Sequence, residues 1–297
     1  MVCETPSGKH QAGDPEARES RPGWIPNLFN TQLPMKCDEF KAYFRALRSP
    51  SSRDKPKFIL LAGYRSGSTL LAALLNCHPA IFCDGEIFLK FCKQHPYSRL
   101  RRPFAKLLSP HLYIKGCVDF GQSNTWYGFD LKISQLETVH FEPLHGLLHE
   151  QLADLHRNNW RIIYLRRDNL YRQAVSNLLA RSRNHWRTNE PTTLSRVYME
   201  PRDLLNELIW FEKQAVLERN ALQHLPHLTV LYERDLRQAG NHQAAADKAF
   251  SYLGLESFPV QTSLHRTTAD SLADNIQNHD DIVRSIGQTK YAHYLEP

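Results

Sequence analysis

The sequence lacks the features that would place the chain in a membrane or outside the cell. No stretch is apolar over the ~20 residues that a helix needs to cross a bilayer. The start of the chain, MVCETPSGKHQAGDPEARESRPG, is polar and contains no apolar signal core. None of the six cysteines forms a C-x-x-C pair, which speaks against a zinc or disulfide framework. We therefore expect free thiols and a cytoplasmic protein.

Charge narrows the class of partner but does not choose it. The chain carries a formal net charge of +6, which favours an anionic partner such as a nucleotide, a nucleic acid or a membrane surface. Lys and Arg are spread widely along the chain, and "SRLRRP" (98–103) is one of only a few short clusters. This spread argues against a nucleic-acid binder. The cluster leaves open a peripheral contact with an anionic surface or with the acceptor of a reaction.

The order of predicted elements favours an α/β fold. We expect a flexible arm and a short helix over residues 1–50 and one domain over 51–297, built as an open parallel sheet with helices on both faces, like the P-loop proteins. The apolar runs predict strands, and the segments with helical spacing predict helices that alternate with them. The strands are predicted at 57–63, 111–118, 126–134, 160–167 and 227–233. The helices are predicted at 36–47, after residue 67, and at 143–159, 168–183, 201–225 and 241–255, with Asp168 as an N-cap.

The turn "GYRSGST" after the first clear strand has the composition of an anion-binding loop. Its two glycines let the backbone curl and approach a ligand closely. The first N–H groups of the following helix have no partner within the helix and point outward, which suits an anion. An arginine and three hydroxyl groups add further donors. The candidate ligands for the anion are Arg65, Ser66, Gly67, Ser68 and Thr69.

The loop departs from the one that holds nucleoside triphosphates. That loop needs the pattern G-x-x-x-x-G-K-[ST], in which the lysine reaches the outer phosphates and the hydroxyl binds magnesium. Here the spacing is shorter and Ser68 follows Gly67 instead of lysine. A phosphoryl-transfer enzyme with a degenerate loop, a non-catalytic binding protein, and an ordinary turn whose hydroxyls cap a helix all stay open at this point. A single phosphate or phosphosulfate needs only one cradle and one cation.

Two segments resemble the nucleotide motifs of sulfotransferases that use 3′-phosphoadenosine 5′-phosphosulfate (PAPS). "YRSGSTLLAALLNCHPAIFCDGEIF" resembles the loop for the 5′-phosphosulfate, and is most similar to the bacterial branch with the trehalose and nodulation-factor enzymes. "YLRRDNLYRQAVS" (164–176) is similar to the motif that binds the 3′-phosphate. "VLYERDL" and the segment that starts at "LHRTTADS" resemble later family segments. The resemblance covers most of the chain from residue 57 onward.

The resemblance implies four nucleotide ligands outside the loop. Arg167 and Ser176 match the arginine and serine of the 3′-phosphate motif, Tyr232 would line the adenine pocket, and Arg266 stands at a position that is usually basic. Residue chemistry agrees, because a guanidinium at the end of a strand can bind a phosphate through two hydrogen bonds. Arg166 and Arg172 compete with Arg167 for this role.

The resemblance also implies a general base and two cations for the transfer. Glu86 in "DGEIF" stands where related bacterial enzymes carry the base that accepts the acceptor's proton, and Asp84 is the alternative. Arg65 would stabilise charge on the sulfuryl group. Lys132 in "GFDLKIS" is the second cation, on the same strand face as Asp130, which occupies the family's lysine position.

The implied function is an EC 2.8.2-type sulfotransferase that moves a sulfuryl group from PAPS to a hydroxyl or amine of a carbohydrate, glycolipid or small natural-product acceptor. The alternative is the kinase-like enzyme with a degenerate loop. The resemblance implies no metal and allows a homodimer, since some relatives dimerise. His145 and His149 have a helical metal-ligand spacing, but the H-E-x-x-H pattern is absent.

Overall fold

The protein is built on a five-stranded parallel sheet. The structure, a computed structural model, describes residues 39–48, 55–89, 110–119, 125–140, 147–186, 195–268 and 270–295, all of which belong to the compact unit Pro34–Pro297. The strands are β1 (Lys57–Ala62), β2 (Ile81–Glu86), β3 (Trp126–Leu131), β4 (Trp160–Arg166) and β5 (Leu228–Leu231), in the spatial order β2-β3-β1-β4-β5. The expected open parallel sheet is therefore confirmed.

Helices lie on both faces of this sheet because β1 is apolar at every position. Ile59 and Leu61 pack into a core cluster on one face, and Phe58 and Leu60 pack into a cluster on the other, as alternation along a strand requires. The helices are α1 (Glu39–Arg48), α2 (Ser68–Leu75), α3 (Pro110–Val118), α4 (Ile133–His140), α5 (Leu147–Arg157), α6 (Leu170–Ser182), α7 (Pro201–Leu222), α8 (His242–Leu253) and α9 (His279–Gly287).

The two faces carry different helices. Residues of α2 and α8 belong to the cluster with Phe58, whereas residues of α1, α3, α4, α5 and α7 belong to the cluster with Ile59. A third cluster joins α6, α7 and α9 beyond the end of β4. In the part of the chain that the structure describes, no helix is long and apolar enough to span a bilayer.

The prediction of a strand at 111–118 is wrong, because this segment forms the helix α3. The tertiary contact with α1 explains the choice. A Cβ added to Gly116 would stand 1.9 Å from the backbone oxygen of Ala42, so the glycine lets the two helices pack backbone to backbone. Arg45 reinforces the contact by donating from Nε to the Gly116 carbonyl oxygen at 3.1 Å.

Two predicted boundaries also shift. The N-cap of α6 is Asn169 instead of Asp168, since the Asn169 side chain accepts a hydrogen bond from the backbone N–H of Arg172. The strand predicted at 126–134 ends at Leu131, and α4 begins at Ile133. The helix predicted at 36–47 is observed from Glu39 to Arg48. The arm predicted before it lies outside the described residues.

Candidate functional site

The loop between β1 and α2 folds through two residues in the left-handed region of backbone conformation. Arg65 has φ 58° and Gly67 has φ 94°, so the chain turns sharply before the first residue of α2. Two hydrogen bonds hold this turn. Ser66 Oγ donates to the Gly63 carbonyl oxygen at 2.7 Å, and Gln173 Nε2 on α6 donates to the Tyr64 carbonyl oxygen at 2.6 Å. The loop thus has one defined shape at the N-terminus of a helix.

Tyr232 is packed against the loop, on the π-helical turn Tyr232–Leu236 that follows β5. A Cβ on Gly67 would stand 2.8 Å from Tyr232 Cδ2, so only glycine fits beneath the ring. The Arg167 guanidinium carbon lies 4.6 Å from the centre of the same ring, which is a cation–π distance. Tyr232 therefore links the predicted loop to the end of β4.

Arg65 bridges three distant segments with its guanidinium. Its Nε donates to Ser176 Oγ on α6 at 3.1 Å, one terminal nitrogen donates to the Trp186 carbonyl oxygen at 2.8 Å, and the other donates to Thr267 Oγ1 at 2.7 Å. Ser176 also accepts from Thr268 Oγ1 at 3.3 Å. The two predicted nucleotide motifs, which lie more than a hundred residues apart, thus meet directly.

Among the three competing arginines, Arg167 is the one beside the loop. It donates to the Arg65 carbonyl oxygen at 3.1 Å, and its Nε lies 3.5 Å from Glu233 without making a hydrogen bond in the described structure. Burial of the guanidinium lowers the pKa of Arg167. Arg166 faces Asp168 instead, at 3.2 Å.

A second group of arginines surrounds the carboxylate of Asp270. Arg266 donates to it from both terminal nitrogens at 2.7 Å, and Arg237 lies at 3.4 Å. The hydrogen bond to Asp270 raises the pKa of Arg266, and the same contact lowers the pKa of Asp270 to about 2. Arg172 donates to the backbone oxygen of Asp270 at 2.9 Å. One carboxylate thus gathers three cations close to Tyr232.

Lys132 reaches the first turn of α2 from the end of β3. Its Nζ donates to both oxygens of Asp130, at 2.7 and 2.9 Å, and to Ser68 Oγ at 2.8 Å. Lys132 is 2% exposed and Asp130 is 3% exposed, so the ion pair is buried beneath the loop. Thr69, on the same turn, is half-buried and makes no hydrogen bond within the described residues. The predicted neighbourhood of residues 130 and 132 is observed.

Glu86 ends β2, one strand beyond Lys132. A register shift between Asp84 and Glu86 brings Glu86 opposite Asp130, and Gln135 on α4 donates to the Glu86 carboxylate at 2.5 Å. Asp84 accepts instead from the hydroxyl of Tyr127 at 3.4 Å and from the backbone N–H of Gly85. Glu86 and Lys132 therefore stand on adjacent strand ends, at the same edge of the sheet as the loop.

The sequence analysis missed a polar cavity on the other side of the loop. Gly63 and Ser66 form part of its wall, and Glu218 and Gln214 of α7 are buried in it. Burial raises the pKa of Glu218 to about 7, and the Tyr164 hydroxyl donates to it at 3.1 Å. A signal was present, because these two polar residues occupy positions of the apolar stripe of α7.

The described residues contain no group of three or more histidine, cysteine or carboxylate side chains placed to hold a metal ion. His149 makes a hydrogen-bond contact with the Ala221 carbonyl oxygen at 2.9 Å, and His145 lies outside the described residues.

Comparison with known proteins identifies two solved structures of the same architecture. A sulfotransferase from Alicyclobacillus acidocaldarius is 14% identical over 81% of this chain and 95% of that chain, with a TM-score of 0.47. The sulfotransferase domain of the olefin synthase from Synechococcus PCC 7002 is 16% identical over 69% of this chain and 75% of that chain, with a TM-score of 0.41. No protein-family model and no curated protein matches the chain.

Proposed function

We propose that the protein is a PAPS-dependent sulfotransferase. The observation that carries the proposal is the contact between Arg65 of the loop and Ser176 of α6, with Nε to Oγ at 3.1 Å. It joins an anion-binding helix N-terminus to a second cationic region on β4 and α6. A nucleotide with anionic groups at both its 5′ and 3′ positions is the ligand that needs two such regions at this spacing.

The chemistry of the donor groups fits such a nucleotide. The loop offers N–H groups at the start of α2 and the hydroxyls of Ser68 and Thr69, beside the guanidinium of Arg65. Arg167 lies beside the loop with a buried Nε that makes no hydrogen bond. Tyr232 presents a ring against which a base can stack, and Arg266 stands next to it. These residues would hold the nucleotide.

When bound, PAPS supplies a sulfuryl group joined to a good leaving phosphate. Glu86 would accept the proton of the attacking hydroxyl or amine, with its carboxylate oriented by Gln135. Arg65 and Lys132 would stabilise negative charge on the sulfuryl oxygens and on the departing phosphate oxygen. No metal takes part in this proposal, since arginine and lysine supply the positive charge.

Calorimetry with adenosine 3′,5′-bisphosphate tests the nucleotide assignment. We expect 1:1 binding that weakens at least tenfold in Arg65→Ala, while Arg157→Ala, an exposed arginine on α5, binds like the wild type. Absence of binding by the wild-type protein, together with binding of magnesium–ATP, would replace the proposal with the phosphoryl-transfer alternative.

Transfer of labelled sulfate from PAPS to a panel of acceptors tests the chemistry. We expect Glu86→Gln to bind the bisphosphate normally and to lose at least a hundredfold in turnover, within the range for general-base catalysis. Unchanged turnover in Glu86→Gln would remove the base assignment and leave Asp84 as the next candidate.

A further inference from the structure

The cavity beside the loop lies between the end of β4 and the helices α6 and α7. Its volume is about 160 Å³, equal to that of roughly five water molecules at about 30 Å³ each. The buried side chains of Gln173, Gln214 and Glu218 line it. The space suits a compact polar group and is too small for an extended chain of sugars.

Three polar groups in this cavity have unused hydrogen-bonding capacity. Gln214 is 7% exposed, and its side-chain amide makes no hydrogen bond to any residue that the structure describes. Glu218 accepts through Oε2 from Tyr164, and within the described residues Oε1 has no hydrogen bond. Gln173 uses Nε2 on the loop carbonyl of Tyr64, and among the described residues its oxygen has no donor. Buried polar groups nearly always have partners, so these three indicate a ligand.

The unused groups stand next to the phosphate loop. A Cβ on Gly63 would lie 3.2 Å from Gln173 Nε2 and 3.5 Å from Glu218 Oε1. Ser66, between the two loop glycines, also contributes to the wall. A group bound in the cavity therefore reaches the loop from the side opposite to Lys132's approach through Ser68.

The cavity's charges favour a neutral polyol over an amine. Arg166 and Arg219 lie on its lining, where they would repel an ammonium group. Burial holds the pKa of Glu218 near 7, which makes its carboxyl a poor partner for a fixed positive charge and a good donor and acceptor for hydroxyls. Phe211 and Tyr294 add aromatic surface of the kind that packs against the C–H face of a sugar ring.

We propose that this cavity binds the hydroxyl groups of a polyol of about one sugar ring in size, with Gln214 and Glu218 as its specificity residues. The proposal rests on the proposed function in one respect, because the polyol would be the part of the acceptor that presents its hydroxyl to the loop. The binding site itself depends only on the cavity.

Saturation-transfer NMR with methyl β-glucopyranoside tests the site directly. We expect a signal with the wild type that falls about tenfold in Gln214→Met, which keeps the side chain's size but removes its hydrogen-bonding groups. Gln223→Met, at the exposed end of the same helix, is the matched control and should keep the signal. Ala215→Leu, which narrows the cavity from a half-buried position, should also lose it.

The outcomes separate this proposal from the nucleotide assignment. Bisphosphate binding, measured by calorimetry on the same variants, should be unchanged in Gln214→Met, and circular dichroism should show that each variant is folded. No glucoside signal with the wild type, or equal signals for Gln214→Met and Gln223→Met, would overturn the polyol site. Stronger binding of the 2-amino glucoside would overturn it in favour of an amine. Glucoside binding as expected without any bisphosphate binding would support the cavity and reject the proposed function.

Discussion

The buried pair of Lys132 and Asp130 predicts a large and specific loss of stability when one partner is removed. In Lys132→Met the ammonium and its bonds to Asp130 and Ser68 disappear. The Asp130 carboxylate then stays in a site where the residue is 3% exposed, without its cation. Breaking a buried pair in this way typically costs about 3–5 kcal/mol. We expect the free energy of unfolding to fall by that amount.

The double variant Lys132→Met/Asp130→Asn distinguishes a lost charge partner from lost packing. Because the asparagine carries no charge, we expect the double variant to recover about 2 kcal/mol relative to Lys132→Met, measured as a coupling energy in a double-mutant cycle. Recovery of stability without recovery of sulfate transfer would support a catalytic role for Lys132 in addition to its structural one.

Urea unfolding followed by tryptophan fluorescence provides the measurement, with an unchanged denaturant slope as the check on two-state behaviour. Arg157→Met is the control, because Arg157 and Asp154 form an exposed pair whose loss should cost less than about 1 kcal/mol. The reasoning fails if Lys132→Met costs no more than Arg157→Met.

Three further predictions follow from the site. Gly67→Ala should lose at least about 1–2 kcal/mol in urea unfolding, from its positive φ and the aromatic ring above it, whereas Gly240→Ala, which would meet no atom within 4 Å, should change little. Glu218→Gln should be more stable than the wild type at pH 8 by up to about 3 kcal/mol and similar to it at pH 4.5: the raised pKa of about 7 makes the wild type lose about 1.4 kcal/mol per pH unit above 4.5; an equal difference at both pH values would refute this. Asp270→Asn should tighten bisphosphate binding in calorimetry by up to about fivefold, since it releases Arg266 from an exposed ion pair; weaker binding would contradict it.

Strands that are apolar throughout were predictable because a strand buried on both faces leaves a continuous apolar run. This holds for β1 and for β4, whose bounds agree with the prediction within one residue. The strand β2, Ile81–Glu86, was not predicted, because Asp84 and Gly85 interrupt its apolar pattern and a register shift falls there. The helix α3 was predicted as a strand because Gly116 acquires its meaning only from the backbone of α1, far away in the chain.

The site was predictable to the extent that its residues stand in local motifs. Arg65 and Ser176 belong to two such motifs, and their contact is the three-dimensional form of that pairing. Gln214 and Glu218 belong to no motif, because their environment is made by β4, α6 and the loop together. Their signal is positional: each is a polar residue where the helix pattern asks for an apolar one.

The three contacts of Arg65 have a consequence for how the protein reaches its working shape. Its partners Ser176 and Thr267 are 111 and 202 residues further along the chain. Contacts between such distant residues carry a large loop-closure entropy and tend to form late in folding. The sheet can therefore form before the loop acquires its final shape, and an intermediate with a native core but without nucleotide affinity is the species to look for during refolding.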